Sequence, residues 1–240
     1  MWMDAVDLRD FYTDSLGRVT RRMINRRIRE IWPDTSAMKV LGIGFPTPYL
    51  SAFRSQAERV LAAMPAAQGV LHWPLGEPGL TSLIDECDLP FADMSMDRVI
   101  MVHALECAEN VRPMMREAWR VLADGGRLMV IVPNRRGLWS RMERTPFGHG
   151  RPYSPTQLSR VLRDNLFTPY SIERALYVPP TRSRMMLSSA PAIEEIGQRW
   201  FKTFAGVVIA DATKQIYAGQ VEAPRKRTYM RLPQRHPDKI

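Results

Sequence analysis

The stretch that decides the fold spans residues 85–134 and reads DECDLPFADMSMDRVIMVHALECAENVRPMMREAWRVLADGGRLMVIVPN. Residues 98–103 and 127–134 within it are nearly continuous apolar runs, which are typical of strands buried on both faces of a parallel sheet. Residues 111–122 between them have helical spacing, and Asp124-Gly125-Gly126 is a helix stop signal. The stretch therefore predicts a strand, a helix and a second strand in succession.

The residues before this stretch continue the same alternation. Residues 39–44 form an apolar run closed by Gly44, and the apolar residues from Tyr49 to Leu61 have helical spacing. Residues 69–73 and 83–85 predict the second and third strands. Strands that alternate with helices predict a Rossmann-like, doubly wound α/β fold with a mostly parallel sheet and helices on both faces.

Polar and aromatic residues stand at the ends of the predicted strands. The ligand of a doubly wound sheet lies beyond the carboxyl ends of its strands. This rule places five residues around one predicted crevice: Gly44, Trp73, Asp85, His103 and Asn134.

The same stretch resembles the class I S-adenosylmethionine (SAM) dependent methyltransferases, in particular the small-molecule and quinone-biosynthesis type. The family pattern D-x-x-x-LPF-x-D-x-S-x-D-x-V, then LE, then E-x-x-RVL-x-x-GG-x-L, is met in order from Asp85 to Leu128. The resemblance implies methyl transfer from SAM to an unidentified acceptor, which is a small molecule, a protein or an RNA.

The resemblance also implies which residues bind the cofactor. The acid after the third strand, here Asp85, accepts a hydrogen bond from the adenine amino group in this family, although a strand-end carboxylate can instead cap nearby backbone. His103 is the candidate catalytic residue, with a purely structural role as the alternative. The expected cofactor-binding residues are Gly42, Gly44, Trp73, Asp85, Glu86 and His103.

The glycine loop departs from the family pattern. Family members carry an acid and then three spaced glycines at the first strand, whereas this chain has Gly42 in place of the acid, with Pro46 and Pro48 in place of two glycines. Each proline removes an N–H donor and fixes φ, so the loop is expected to be stiff and tight.

A second departure concerns the carboxylate that holds the ribose in this family, because the expected position reads His72-Trp73-Pro74 unless Glu77 substitutes for it. Two weakened contacts are expected to lower SAM affinity by about one to three decades or more. The alternative hypothesis is therefore a catalytically inactive methyltransferase-fold protein that serves as a binding or assembly partner through its basic surfaces.

The loop after the fifth predicted strand is a candidate substrate or partner site. Long loops that mix basic, aromatic and glycine residues are commonly functional. In the alternative, the loop is structural and packs Trp139 and Phe147 on the core. The candidate contact residues are Arg135, Arg136, Trp139, His149, Arg151 and Tyr153.

The remaining elements of the domain are predicted from local signals. Ser154-Pro155 opens a helix through an N-cap followed by proline. Residues 175–178 and 207–210 are predicted strands, with a helix near residues 193–200 between them. The family's LEH triplet reads Leu105-Glu106-Cys107, which removes one candidate base.

The two ends of the chain carry much of the net charge of +9. Residues 1–34 are predicted to form one or two amphipathic helices, and residues 18–29 contain six arginines. Residues 218–240 are a basic, disordered tail by composition. Both clusters can meet an anionic partner, such as a phosphate or anionic lipid, or simply be solvated. The methyltransferase-like domain is expected between them, over residues 35–217.

Composition restricts the class of protein. Hydrophobic residues make up 45% and charged residues 25%, which is the balance of a soluble globular chain. Because no apolar run is long enough to span a bilayer and no signal peptide is recognised, we expect a cytoplasmic protein. Cys87 and Cys107 form neither a disulfide framework nor a zinc site and are expected to be buried thiols, so no metal is predicted.

Overall fold

The computed structural model describes residues 2–215. The basic tail predicted for residues 218–240 lies outside these described residues. Within residues 2–215, no helix is both long and apolar enough to cross a membrane.

One seven-stranded sheet forms the centre of the molecule, with the order β3-β2-β1-β4-β5-β7-β6. Strands β1 to β5 pair in parallel, whereas β7 is antiparallel to both β5 and β6. The chain order reverses between β1 and β4, which makes their carboxyl ends the topological switch point. The strands are β1 Lys39–Gly44, β2 Arg59–Pro65, β3 Thr81–Ile84, β4 Met96–Val102, β5 Leu122–Pro133, β6 Phe167–Ala175 and β7 Val207–Lys214.

Helices cover both faces of the sheet, so the predicted doubly wound α/β fold is confirmed. One face packs against α4 and α5, and the other against α1, α2 and α7. Short 3₁₀ turns lie at Trp139–Arg141, Pro146–Gly148 and Lys202–Phe204. The helices are α1 Ala5–Thr13, α2 Ser15–Ile31, α3 Thr47–Leu50, α4 Val111–Val121, α5 Pro155–Asp164, α6 Arg184–Ser188 and α7 Ala190–Trp200.

Helix α5 begins where the sequence predicts it. The Ser154 hydroxyl accepts from the Gln157 N–H, and the Gln157 side chain accepts from the Ser154 N–H, which is a complete capping box. Its inner face buries Leu158 and Leu162 against the sheet. The predictions of α4, α7 and the N-terminal helical pair are likewise confirmed.

The predictions of the second strand and of the helix before it were wrong. Helix α3 has only four residues, and Val60 and Leu61 belong to β2, where they pair with Val40 and Leu41. Because β2 is buried on both faces, its apolar run has no strand-like alternation and can be mistaken for a helix. Residues 69–73 lie in the connection between β2 and β3.

The sixth strand was placed too late in the sequence, because β6 spans Phe167–Ala175 and not residues 175–178. Pro169 argues against a strand by propensity, but β6 lies at the edge of the sheet, where proline is tolerated. The ladder with β7 shifts register between Pro169 and Ser171. The predicted helix stop at Asp124-Gly125-Gly126 is instead part of β5.

Gly44 ends β1 in a conformation that other residues rarely adopt, with φ of 92°. A β-carbon at this position would also overlap with the Val102 carbonyl oxygen. We expect Gly44→Ala to lower the free energy of unfolding by about 2–3 kcal/mol, from the positive φ and the overlap together.

Gly76→Ala is the matched control for this prediction. Gly76 has φ of 76°, but a β-carbon there would have nothing within 4 Å. Gly76→Ala therefore measures the cost of the positive φ alone, which is about 1–2 kcal/mol in the free energy of unfolding. Urea denaturation of both variants measures the difference, and equal losses would contradict a steric role for Val102.

Candidate functional site

The switch point between β1 and β4 is closed by the chain itself. After Gly44, the Phe45 N–H donates to the Val102 carbonyl over 2.8 Å, which extends the parallel ladder between β1 and β4 by one hydrogen bond. His103 follows β4 in the left-handed region, with φ of 50°. This conformation is strained for a residue with a side chain, and such strain is concentrated at functional sites.

The two departures at Gly42 and Pro46 depend on each other. The Pro46 ring lies where a β-carbon of Gly42 would stand. An acid at position 42 therefore does not fit beneath this loop. The replacement of the family's acid by glycine and the replacement of a loop glycine by proline together produce the tight turn that the sequence predicts.

An aromatic cluster fills the space beyond this turn. Its members, Tyr12, Phe45, Tyr49, His103 and Phe147, are each at most 4% exposed. Tyr12 stacks on Phe45 with ring centroids 6.0 Å apart, and His103 lies 5.0 Å from Phe147. The cluster joins α1, the β1–α3 turn, the end of β4 and the loop after β5.

A polar chain runs through the aromatic cluster. The Tyr12 hydroxyl lies 2.8 Å from Nε2 of His103 and 3.0 Å from the Tyr49 hydroxyl. Burial raises the pKa of both tyrosines above its usual range, so both hydroxyls keep their protons at neutral pH. The chain therefore ends on neutral phenols.

Glu106 lies at the other end of the polar chain. Its Oε1 is 3.3 Å from Nδ1 of His103, close enough for an ion pair but outside hydrogen-bond geometry. Both carboxylate oxygens lack a hydrogen-bond partner among the described residues, and Glu106 is 2% exposed. A buried carboxylate with so few partners costs stability, which is characteristic of functional residues.

The residues at the ends of the strands could hold SAM in this conformation only at its adenine end. The exposed Asp85 carboxylate can accept from an adenine amino group, although its Oδ1 already accepts from the Cys87 N–H over 2.8 Å. The methionine end does not fit this conformation, because the aromatic cluster occupies the carboxyl ends of β1 and β4. A SAM molecule needs Tyr12 and the segment around it to move.

Trp73 does not lie at the end of the second strand. Strand β2 ends at Pro65 and is followed by Ala66, Ala67 and Gln68, so no carboxylate for the ribose stands there either. The Trp73 ring is half-buried, with the Arg54 guanidinium 5.6 Å from its centroid.

The other acids near this end of the crevice have different surroundings. Glu77, the possible substitute for the ribose acid, forms an ion pair of 2.5 Å with Arg54. Glu86 is partly exposed beside Asp85.

The loop after β5 divides into a buried and an exposed part. Trp139 and Phe147 are 1% and 2% exposed, and the Trp139 indole donates to the Val178 carbonyl over 2.8 Å. These two side chains therefore pack on the core, as the structural alternative predicts. Asn134 is also buried, and its amide donates to the Ala205 carbonyl over 2.8 Å.

The exposed part of this loop lines an open cavity of about 620 Å³. Arg135, Arg151 and Tyr153 meet there with Arg160 of α5, so three predicted contact residues come together. The Arg151 N–H donates to the Glu106 carbonyl over 2.8 Å, which links the cavity to the buried polar chain. His149 lies 2.6 Å from the Glu143 carbonyl, and Arg136 is exposed.

Arg120 holds together several pieces of the motif between Asp85 and Leu128. Its guanidinium donates over 2.8 Å to the carbonyls of Leu89 and Phe91 and pairs with Glu117 and Asp93 at 2.6 Å. One side chain thus ties helix α4 to the LPF turn. The clamp thus joins motif pieces that lie far apart in the sequence.

The cysteines differ in exposure. Cys107 is buried, and burial raises the pKa of its thiol. Cys87 is partly exposed, so the expectation that both are buried was wrong for this residue. Cys87 lies on the surface turn that follows β3, where no core covers it.

Sequence reasoning missed Tyr12, Tyr49 and Glu106 as members of one cluster. Glu106 was visible in the LE motif, but its distance from His103 depends on the turn after β4. Tyr12 lies 91 residues before His103, and no local pattern connects them.

Comparison with known proteins agrees with this architecture. A family model described as a methyltransferase domain matches residues 42–130. The matched residues run from β1 into β5 and include the switch point between β1 and β4. No curated protein sequence matches the chain significantly.

Solved structures share the fold at low identity. A SAM-dependent methyltransferase from Thermotoga maritima has 16% identity and a TM-score of 0.60, with 86% of this chain and 94% of that chain covered. A Haloferax volcanii complex of the Trm112 methyltransferase activator with a methyltransferase has 17% identity and a TM-score of 0.58, covering 88% and 98%.

A third structure comes from Streptomyces coelicolor. It is a geranyl diphosphate C-methyltransferase solved with S-adenosyl-L-homocysteine, at 15% identity and a TM-score of 0.54, covering 79% of this chain and 76% of that chain. At these identities the likeness supports the fold.

Proposed function

We propose that this chain is a SAM-dependent methyltransferase whose cofactor crevice is closed in the described conformation. The single observation that carries this proposal is the family-matched switch point, where Gly44 ends β1 and Asp85 follows β3. Methyl transfer depends mainly on alignment of acceptor, methyl and sulfur, so a fixed base is not required for every acceptor. When bound, SAM would supply the methyl group.

The roles of this chain's own residues follow from the geometry. Asp85 would hold the adenine edge, and the turn at Gly44 would face the cofactor once Tyr12 leaves. The Arg135, Arg151 and Tyr153 cavity is the acceptor-side surface, and its arginines favour an acceptor that carries negative charge or a carbonyl oxygen.

The second candidate is a methyltransferase-fold protein without turnover. The observation that favours it is the closed turn, in which Pro46 covers Gly42 and the buried aromatic cluster fills the space beyond. If that turn never opens, the crevice is part of the core and the basic surfaces carry the function.

Calorimetric titration of the full chain with SAM and S-adenosylhomocysteine separates the two candidates. Saturable binding of either compound supports the methyltransferase. If the heats of both the wild type and the Tyr12→Ala variant stay at the value of ligand dilution, the result supports the protein without turnover.

A substitution at Asp85 tests the adenine contact. We expect Asp85→Ala to weaken SAM binding by about tenfold or more, because the adenine edge loses a charged acceptor worth about 1.5–3 kcal/mol. Asp88→Ala is the control, since Asp88 is an exposed acid on the same turn. The same titration measures both, and an Asp85 variant with unchanged affinity would remove Asp85 from the site.

A further inference from the structure

Helix α2 presents a row of arginines on its outer side. Met23, Ile24 and Ile28 are buried against the sheet, so the opposite side of the helix faces solvent. The exposed arginines line a cavity of about 640 Å³ with Asn25 and Glu30. They are Arg18, Arg21, Arg22, Arg26 and Arg29.

This row carries a large excess of positive charge. The acid among its lining residues, Glu30, pairs with Arg26 at 3.3 Å and with Arg27 at 2.6 Å. Arg27 is the inward arginine of the helix, with a side chain 16% exposed. A concentration of charge that α2 does not itself neutralise attracts an anionic partner.

A second surface beside α2 exposes large apolar side chains. They belong to α6, α7 and the 3₁₀ turn that follows, and each is more than half exposed: Met185 73%, Ile196 54%, Trp200 71%, Phe201 55% and Phe204 57%. Scattered apolar side chains on a surface are ordinary, but five of them within residues 185–204, among them one Trp and two Phe, favour an interaction site, and we call these five the apolar cluster. Basic residues Arg184, Arg199 and Lys202 lie among them in the sequence.

The arginine row and the apolar cluster lie on the same side of the molecule. Helix α2 contacts both α6 and α7, and all three lie over the same face of the sheet. Helix α7 turns Glu194 inward, where it accepts from the Leu176 and Tyr177 N–H groups over 2.7 Å. Ile196 and Trp200 are on its outward side. We call the combined surface the basic–aromatic face.

We propose that the basic–aromatic face docks on an anionic lipid surface. Arginines beside a membrane gain attraction to lipid phosphates, and Trp and Phe side chains favour the interfacial region of a bilayer. Neither feature alone holds a protein on a membrane firmly, whereas the two together give both attraction and insertion.

The apolar cluster favours lipid over nucleic acid as the partner. Single-stranded nucleic acids are bound by aromatic side chains that stack on bases beside a basic groove. The exposed Met185 and Ile196 have no flat face for stacking, but they bury well among acyl chains. Docking through this face does not depend on whether the crevice turns over SAM.

Vesicle sedimentation with the full chain tests the proposal. We expect binding to vesicles of phosphatidylcholine with about one third phosphatidylglycerol at near-physiological salt, and little binding to phosphatidylcholine alone. The tryptophan emission of the protein should shift to shorter wavelength on binding, because Trp200 is 71% exposed in the free protein. Equal binding to both vesicle types, or none to either, overturns the proposal.

Two sets of variants locate the contact. Changing Arg18, Arg21, Arg22 and Arg26 to Gln should weaken binding to anionic vesicles by about tenfold or more. The matched control changes the exposed Arg112, Arg116, Arg160 and Arg163 to Gln, which removes the same charge from α4 and α5 on the opposite face. The control should bind within about twofold of the wild type.

The contribution of the apolar cluster is tested separately with a double variant that carries Trp200→Ser and Phe204→Ser. This variant should lose most of the binding at near-physiological salt, because electrostatic attraction alone is screened. Equal losses in both arginine sets would show that only net charge matters. Tighter binding to a single-stranded RNA than to the vesicles would assign the face to nucleic acid; either result overturns the proposal.

Discussion

Arg120→Ala is expected to lower the free energy of unfolding by about 3–4 kcal/mol. The guanidinium satisfies the carbonyls of Leu89 and Phe91 and pairs with Glu117 and Asp93. Its removal leaves acceptors near the buried Leu89 without a donor, and each such loss costs about 1–3 kcal/mol. Partial exposure of the Arg120 side chain, at 30%, keeps the total below the sum of these terms.

The pH dependence of the Arg120 effect has a definite sign. The hydrogen bond from Arg120 lowers the pKa of Glu117 below its usual range. Since the folded-state pKa is below the unfolded one, this contribution is present at neutral pH and is lost as the pH falls below about 4. The wild type and the variant should therefore differ less in acid.

Urea denaturation at neutral and acidic pH measures both effects. Arg116→Ala is the control, because Arg116 is an exposed arginine on the same helix. It should cost less than about 0.5 kcal/mol. A similar small loss in Arg120→Ala would mean that the LPF turn holds its conformation without the clamp.

The fold could be predicted from the sequence because its signals are local. Strands β4 and β5 are apolar runs on either side of a helix with clear spacing, and the Ser154 capping box marks the start of α5. Strand β2 could not be predicted in the same way, since no glycine or proline between Tyr49 and Met64 separates its apolar run from the helical spacing before it.

The candidate site could be predicted only in part. Gly44, Asp85 and His103 lie at strand ends, and strand ends follow from the sheet. Tyr12 reaches His103 through the packing of α1 on the sheet, which depends on many weak contacts and leaves no sequence motif. Trp73 shows the converse case, because its expected position relied on a strand that lies elsewhere.

The residues that close the crevice are visible in the sequence, but only one by one. Gly42, Pro46 and Pro48 were each visible as departures from the family pattern. Gly42 and Pro46 together give a turn in which the Pro46 ring covers Gly42. Tyr12 then completes the barrier from a different element, helix α1.

Tyr12→Ala is expected to have opposite effects on stability and on cofactor binding. Tyr12 is 4% exposed, and loss of a buried aromatic ring costs about 3–5 kcal/mol. The same truncation removes the ring between Phe45 and His103 at the switch point. We therefore expect the affinity for S-adenosylhomocysteine to rise by about tenfold, since binding no longer requires displacement of that ring.

Tyr12→Phe and Tyr12→Leu are the controls that separate packing from opening. Tyr12→Phe keeps the ring and loses only the hydrogen bonds to His103 and Tyr49, so it should cost about 1–2 kcal/mol and leave cofactor affinity unchanged. Tyr12→Leu keeps an apolar side chain of intermediate size and should fall between the two. Circular dichroism establishes that each variant is folded, and calorimetric titration measures its affinity. If a folded Tyr12→Ala protein binds S-adenosylhomocysteine no better than Tyr12→Phe, then Tyr12 is a core residue of a permanently closed domain, because removal of a true barrier must make binding easier.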